Sequence, residues 1–115
     1  MNILVLNPST SSTKNVVRDV LYGCWCSGKR IGGGTVPPFA LLQVAAVLKE
    51  DGNDVGFLDA QAEQTAVEDI RSRIENTNMV IISTSTMTFE EDANTLQSFK
   101  DVNPDILTVV FGSHP

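Results

Sequence analysis

Four short apolar runs restrict this chain more than any other feature. They are Asn2 to Leu6, Asp54 to Leu58, Met79 to Ile82 and Ile106 to Phe111. Each is close to continuous in apolar residues instead of alternating with polar ones, the pattern of a strand covered on both faces of a parallel sheet. Parallel strands need a long crossover between them, and helical periodicity fills the gaps. The expectation is an α/β domain with a doubly wound, flavodoxin-like or Rossmann-like parallel sheet in the order 2-1-3-4. A five-stranded version would need one more helix and strand, so residues 1–115 read as one truncated domain of a longer chain with its fifth strand missing.

The crossovers carry their own punctuation. Between Pro37-Pro38 and Gly52, residues Phe39, Leu41, Leu42, Val44, Ala45, Ala46, Val47 and Leu48 leave only Gln43 polar through the first three turns. Proline is tolerated where the first helical N–H groups are unpaired, and glycine readily takes the left-handed conformation that closes a helix. A helix apolar nearly all round is expected to be buried. Thr65-Ala66-Val67-Glu68 and Thr88-Phe89-Glu90-Glu91 each have the form of a capping box. Val67, Ile70 and Ile74 follow the first at helical spacing; Phe89, Ala93, Leu96 and Phe99 follow the second until Asn103-Pro104-Asp105 breaks the pattern. Asn7 to Val36 is far longer than the ~2–6 residues usual in such a connection, and Lys14 to Tyr22 is expected to hold a short helix within it.

In a doubly wound sheet, ligands bind beyond the carboxyl ends of the strands, where the winding reverses. That rule alone nominates Asn7 and the long loop after the first strand, beginning with Pro8 and Ser9, Asp59 after the second, Ser83 to Thr88 after the third, with Ser83, Thr84, Ser85 and Thr86 foremost, and Gly112 to His114 after the fourth, with Gly112 and Ser113 foremost. Charge is unevenly shared. Residues 1–36 hold Lys14, Arg18, Lys29 and Arg30 against Asp19, whereas the remainder sets Lys49, Arg71, Arg73 and Lys100 against the other thirteen acids. An acidic body argues against nucleic-acid binding, and the basic segment suits a local anion or an acidic partner surface. No apolar run reaches the ~18 residues of a membrane span. Met1-Asn2-Ile3 enters a strand without a basic leader, and Cys24 and Cys26 are too close for an ordinary disulfide, so a reducing, cytoplasmic setting is expected.

Several chemistries fail on residue type. A phosphoacceptor receiver needs acids where Asn7 and Ser83 stand. A flavin-phosphate turn has its hydroxyls in Ser9-Thr10-Ser11-Ser12-Thr13 but no glycine, and is kept as an alternative. In Gly28-Lys29-Arg30-Ile31-Gly32-Gly33-Gly34-Thr35 the lysine precedes the glycines, the reverse of a phosphate loop. Cys24, Cys26 and His114 are one ligand short of a closed zinc site. No grouping of Ser, His and Asp suggests hydrolysis, so the chain is not expected to be catalytic alone.

The phrases Val36-Pro37-Pro38-Phe39-Ala40-Leu41-Leu42, Leu48-Lys49-Glu50-Asp51-Gly52-Asn53-Asp54-Val55, Leu58-Asp59-Ala60, Ile82-Ser83-Thr84-Ser85-Thr86-Met87-Thr88, Asn103-Pro104-Asp105 and Gly112-Ser113-His114-Pro115 occur in one order along nearly the whole chain. Together they resemble the N-terminal cobalamin-binding domain of B12-dependent radical S-adenosylmethionine enzymes. That family includes C-methyltransferases and the oxidative cyclase of tetrapyrrole biosynthesis that acts on magnesium-protoporphyrin monomethyl ester. The resemblance implies cobalamin as cofactor. It also implies a downstream domain whose CxxxCxxC motif, absent here, holds a [4Fe-4S] cluster and S-adenosylmethionine.

The wider cobalamin fold resembles DxHxxG, then SxL, then GG, with the histidine binding cobalt from below. Ser83-Thr84-Ser85 and Gly112-Ser113 fall at the last two places, and residues 86–111 between them match the family's spacer. Pro37 to Leu42 falls at the first, with Phe39 in place of the ligand histidine. The resemblance therefore implies binding without a histidine ligand, beside Pro38 and Phe39, with Tyr22 and Trp25 over the corrin and Lys29 and Arg30 toward the tail phosphate or the next domain. A docking domain that has lost the cofactor is the other reading. Expected partners are cobalamin, the downstream domain and, through the exposed edge of the fourth strand, a second copy.

Overall fold

The computed structural model describes residues 1–10, 18 and 37–112. The apolar runs form strands β1 (Asn2–Asn7), β2 (Asp54–Asp59), β3 (Met79–Thr84) and β4 (Leu107–Gly112). Between them lie helices α1 (Phe39–Glu50), α2 (Ala60–Glu63), α3 (Val67–Ile74) and α4 (Phe89–Val102). All strand pairs are parallel and the order is β2-β1-β3-β4, as expected from the sequence.

The continuous apolar runs are explained by two cores, one on each face. Ile3, Val5 and Ile81 point to the face where Leu41 and Ala45 of α1 pack, with Val55, Phe57, Val109 and Phe111 at its margin. Leu4, Leu6, Leu58, Val80 and Ile82 point the other way, onto Ile70 and Ile74 of α3 and Leu96 and Phe99 of α4. Side chains alternate between faces along a strand, so a run apolar at every position fills both cores. Burying a side chain of this size contributes roughly 1.5–3 kcal/mol.

The expected burial of α1 is only half met. Leu41 and Ala45 are buried, but Phe39, Leu42 and Val47 are 46%, 38% and 65% exposed. The helix lies along β1 and β2, and a single sheet face covers one stripe of it. Its C-terminal end behaves as expected: Gly52 has φ +89° and its N–H donates to the Lys49 carbonyl at 3.1 Å.

Both capping boxes need correction. Helix α3 begins one residue later than the first box requires, with Ala66 at the N-cap and no side-chain cap bond. The reason lies in α2, which the sequence pattern missed: Gln64 takes the left-handed conformation at its end, and the Thr65 N–H bonds to the Ala60 carbonyl at 2.9 Å. Thr65 thus closes one helix instead of opening the next. Thr88 does stand at the N-cap of α4, but its hydroxyl accepts from the Ser85 N–H at 3.3 Å and caps no N–H of the helix. The buried stripe of α4 runs through Asp92, Thr95, Leu96 and Phe99, and Phe89 is largely exposed.

Strand ends also shift. Strands β1 and β3 run one and two residues further than expected, and β4 starts one residue later, leaving Ile106 fully buried in the turn before it. Asn103 helps form that turn by donating to the carbonyls of Ile74 and Thr77, tying the end of α4 to the end of α3. The helix expected over Lys14 to Tyr22 lies outside the described residues apart from Arg18.

Strand β4 pairs with β3 alone among the described residues, and its six residues carry no charge. Uncharged, unpaired edges are templates for strand addition. The chain is expected to self-associate in sedimentation as concentration rises; a monodisperse monomer at high concentration would contradict this. Two glycines make a paired test. A methyl at Gly52 meets nothing, so Gly52→Ala should cost about 1 kcal/mol in urea unfolding, from the left-handed backbone alone. At Gly112 (φ +127°) a methyl would collide with the Thr84 carbonyl oxygen and lie 3.1 Å from its nitrogen, so Gly112→Ala should cost more than about 2 kcal/mol.

Candidate functional site

The chain leaves β1 toward β2 on one side and β3 toward β4 on the other, so the winding reverses between β1 and β3. Beyond the carboxyl ends of these two strands lies a buried polar cluster. At its centre is the Asp92 carboxylate, on the first turns of α4, and the guanidinium of Arg18. Their side chains are 2% and 1% exposed. Arg18 Nη2 donates to Asp92 Oδ1 at 2.8 Å and Nε to Oδ2 at 3.1 Å, a two-pronged pairing. Oδ2 also accepts from the hydroxyls of Thr84 and Thr88, each at 2.8 Å.

The other side of the guanidinium faces the end of β1. Arg18 Nη1 donates to the Pro8 carbonyl at 2.9 Å, to Asn7 Oδ1 at 3.2 Å and, more weakly, to Gln61 Oε1 at 3.4 Å. Asn7 in turn donates through Nδ2 to Asp59 Oδ1 at 2.8 Å, and the same oxygen accepts the Ala62 N–H at the start of α2. Ser85 joins through Thr88, whose hydroxyl lies 3.0 Å from its own. One connected network therefore holds the ends of β1, β2 and β3 and the start of α4.

Of the residues nominated from the sequence, this network brings together Asn7, Pro8, Asp59, Thr84 and Ser85. Ser9 stands apart, donating to the Thr65 carbonyl at 3.0 Å. Ser83 is buried, and strand alternation puts it on the α1 face with Ile81 and opposite Phe111 of β4. Pro38 and Phe39 stand at the start of α1, which the chain enters from the carboxyl end of the sheet. Thr86 is exposed. Gly112 is locked against Thr84, so its lack of a side chain serves the close approach of two strands. Ser113, Tyr22, Trp25, Lys29, Arg30, Cys24, Cys26 and His114 lie outside the described residues.

Sequence reasoning missed Gln61 and Asp92 as members of this site, whereas Thr88 and Arg18 fall within nominated segments, Arg18 without being singled out in the long loop after the first strand. A signal was present for one of them. Asp92 precedes Leu96 and Phe99 by four and seven residues, which puts a carboxylate on the buried stripe of its helix, and a buried charge requires a partner.

Among the described residues, concave regions flank the cluster on two sides. A hollow of about 330 Å³ lies between Ser9, Thr10 and the first turns of α3 and α4, with Glu68 and Glu91 in its wall. Those acids oppose a phosphate there. A groove of about 370 Å³ between α4 and β4 is lined by Phe89, Leu96, Lys100, Thr108 and Val110. No helix among the described residues is long and apolar enough to cross a membrane.

Comparison with known proteins gives a match to the family described as "B12 binding domain" over residues 32–115. Over 84 residues, 70% of this chain, the sequence is 34% identical to the anaerobic magnesium-protoporphyrin IX monomethyl ester cyclase of Rubrivivax gelatinosus. The match spans 15% of that protein. No solved structure gives a significant match.

The buried pair makes a quantitative demand. Asp92→Asn leaves the guanidinium buried without a counter-charge and is expected to cost about 3–5 kcal/mol in urea unfolding. Thr84→Val removes a single hydrogen bond to the carboxylate and should cost about 1.5–3 kcal/mol.

Proposed function

We propose that this chain, which belongs to the B12-binding domain family, holds cobalamin on the α1 face of its sheet as one module of a B12-dependent radical S-adenosylmethionine enzyme. The observation that carries the placement is the uneven cover of that face. Phe39 and Leu42 are partly exposed at the start of α1, and Phe111 is half-buried at the end of β4 beside Ser83. These apolar side chains stand at the carboxyl end of the sheet on the side of α1, with the Ser83 hydroxyl buried at the same end, a composition that suits a macrocycle carrying an amphipathic tail. At the same end of the sheet the crevice between β1 and β3 is occupied by the buried Arg18–Asp92 pair.

In this reading Pro38 and Phe39 form the floor beneath the ring, and Ser83 with the Thr84–Gly112 strand ends lines the path of the tail. Asn7, Pro8, Asp59 and Ser85 hold these ends in place through the network, with Ser9 and Thr86 nearby in the chain, and Ser113, outside the described residues, is assigned to the site from the sequence. Cobalamin supplies a redox-active cobalt able to carry an alkyl group. Phe39 provides no donor atom, and the identity of the axial ligand is a main lever by which a protein sets a metal's potential. The cluster and S-adenosylmethionine belong to a downstream domain, a reading supported by the small share of the cyclase that this chain spans. The reaction is either oxidative cyclisation of the kind named for that relative or C-methylation.

Titrating the purified chain with hydroxocobalamin tests this directly. Binding is expected to alter the corrin absorption and to survive desalting. Phe39→His should then introduce an axial nitrogen and shift the spectrum of the bound form. An unchanged spectrum and full loss on desalting would identify a docking domain without cofactor.

A further inference from the structure

The crevice where the winding reverses is the place a doubly wound sheet ordinarily offers to an external ligand. Here it is filled. Arg18 comes from the long connection after β1, yet its guanidinium is almost wholly buried among groups from the ends of three strands and two helices. Its contacts use all three nitrogens: Nε and Nη2 on the two oxygens of Asp92, and Nη1 on the Pro8 carbonyl and the Asn7 and Gln61 amides. Every partner is an acceptor, arranged around one planar cation. The Thr84 and Thr88 hydroxyls, donating to Asp92 Oδ2, hold the carboxylate in the plane that receives it.

We infer that the switch-point crevice is a guanidinium-binding site that the chain fills with its own Arg18, with Asp92 as the positioning residue, so that this crevice is closed to external ligands. The planar fork is the reason for arginine. A lysine ammonium has charge but cannot span both carboxylate oxygens while reaching the Pro8 carbonyl behind them. The site is therefore selective for a guanidinium over a simple cation of equal charge. This inference concerns the chain's own residues and stands whether or not cobalamin binds the opposite face.

Chemical rescue tests it without any cofactor. Arg18→Ala is expected to lower the thermal unfolding midpoint, and millimolar methylguanidinium should recover most of the loss with a saturating dose response. Methylammonium at matched ionic strength should not. If Arg18→Ala is unfolded in buffer, the same titration is read as recovery of far-ultraviolet circular dichroism. In the double variant Arg18→Ala with Asp92→Asn the rescue should vanish, and Arg18→Lys should resemble Arg18→Ala more than the parent. No recovery with methylguanidinium, equal recovery with methylammonium, or rescue that persists without Asp92 would each overturn the assignment.

Discussion

The Asp92 carboxylate sits where four donors meet, two from Arg18 and one each from Thr84 and Thr88. Taking an ion pair out of water costs several kcal/mol per ion, and the attraction between the charges offsets this only when the geometry is good and the remaining hydrogen-bonding capacity is used. Here both conditions hold. What the pair contributes beyond stability is position: it joins the end of β3 and the start of α4 to the end of β1. These elements are remote in sequence, and Arg18 and Asp92 themselves are 74 residues apart.

With that crevice occupied from within, the two faces of the sheet have different characters. The α3–α4 face is packed from Phe99 and Ile74 up to the buried polar cluster. Among the described residues the α1 face has one helix, lying along β1 and β2, and Phe39, Leu42 and, in part, Phe111 are exposed at its carboxyl end. Gly112 completes the arrangement by letting β4 close against Thr84, whose hydroxyl faces the carboxylate while its backbone holds the strand end. One residue thereby ties the sheet margin to the polar cluster.

The parts legible in the sequence were those governed by local periodicity. The apolar runs, the span of α1 and its closure at Gly52, and the break at Asn103-Pro104 all follow from side-chain alternation, helical spacing and backbone preference, which act over a few residues. The capping boxes misled for a reason of the same kind. Thr65 satisfies the pattern, but an unforeseen turn of helix ending at Gln64 takes its N–H first. Thr88 occupies the right position while its hydroxyl serves the stronger acceptor, a buried carboxylate. The strand-end residues were correctly gathered at one edge, since a parallel sheet places every carboxyl end there. Their partners were not legible, because hydrogen bonds between Asn7 and Asp59 or Thr84 and Asp92 depend on how elements pack.

By itself, then, the sequence determined the class of fold, the parallel order of its strands and the edge at which a ligand is to be sought. Those follow from hydrophobic patterning and from the crossover that parallel strands require. Only the tertiary structure decided what fills the edge between β1 and β3, the buried Arg18–Asp92 pair. The spacing of Asp92 on its helix shows that it needs a partner, but nothing local identifies Arg18, one cation in a long connection, as that partner. Their burial becomes favourable only when packing brings the two charges and their polar neighbours into a volume that excludes water.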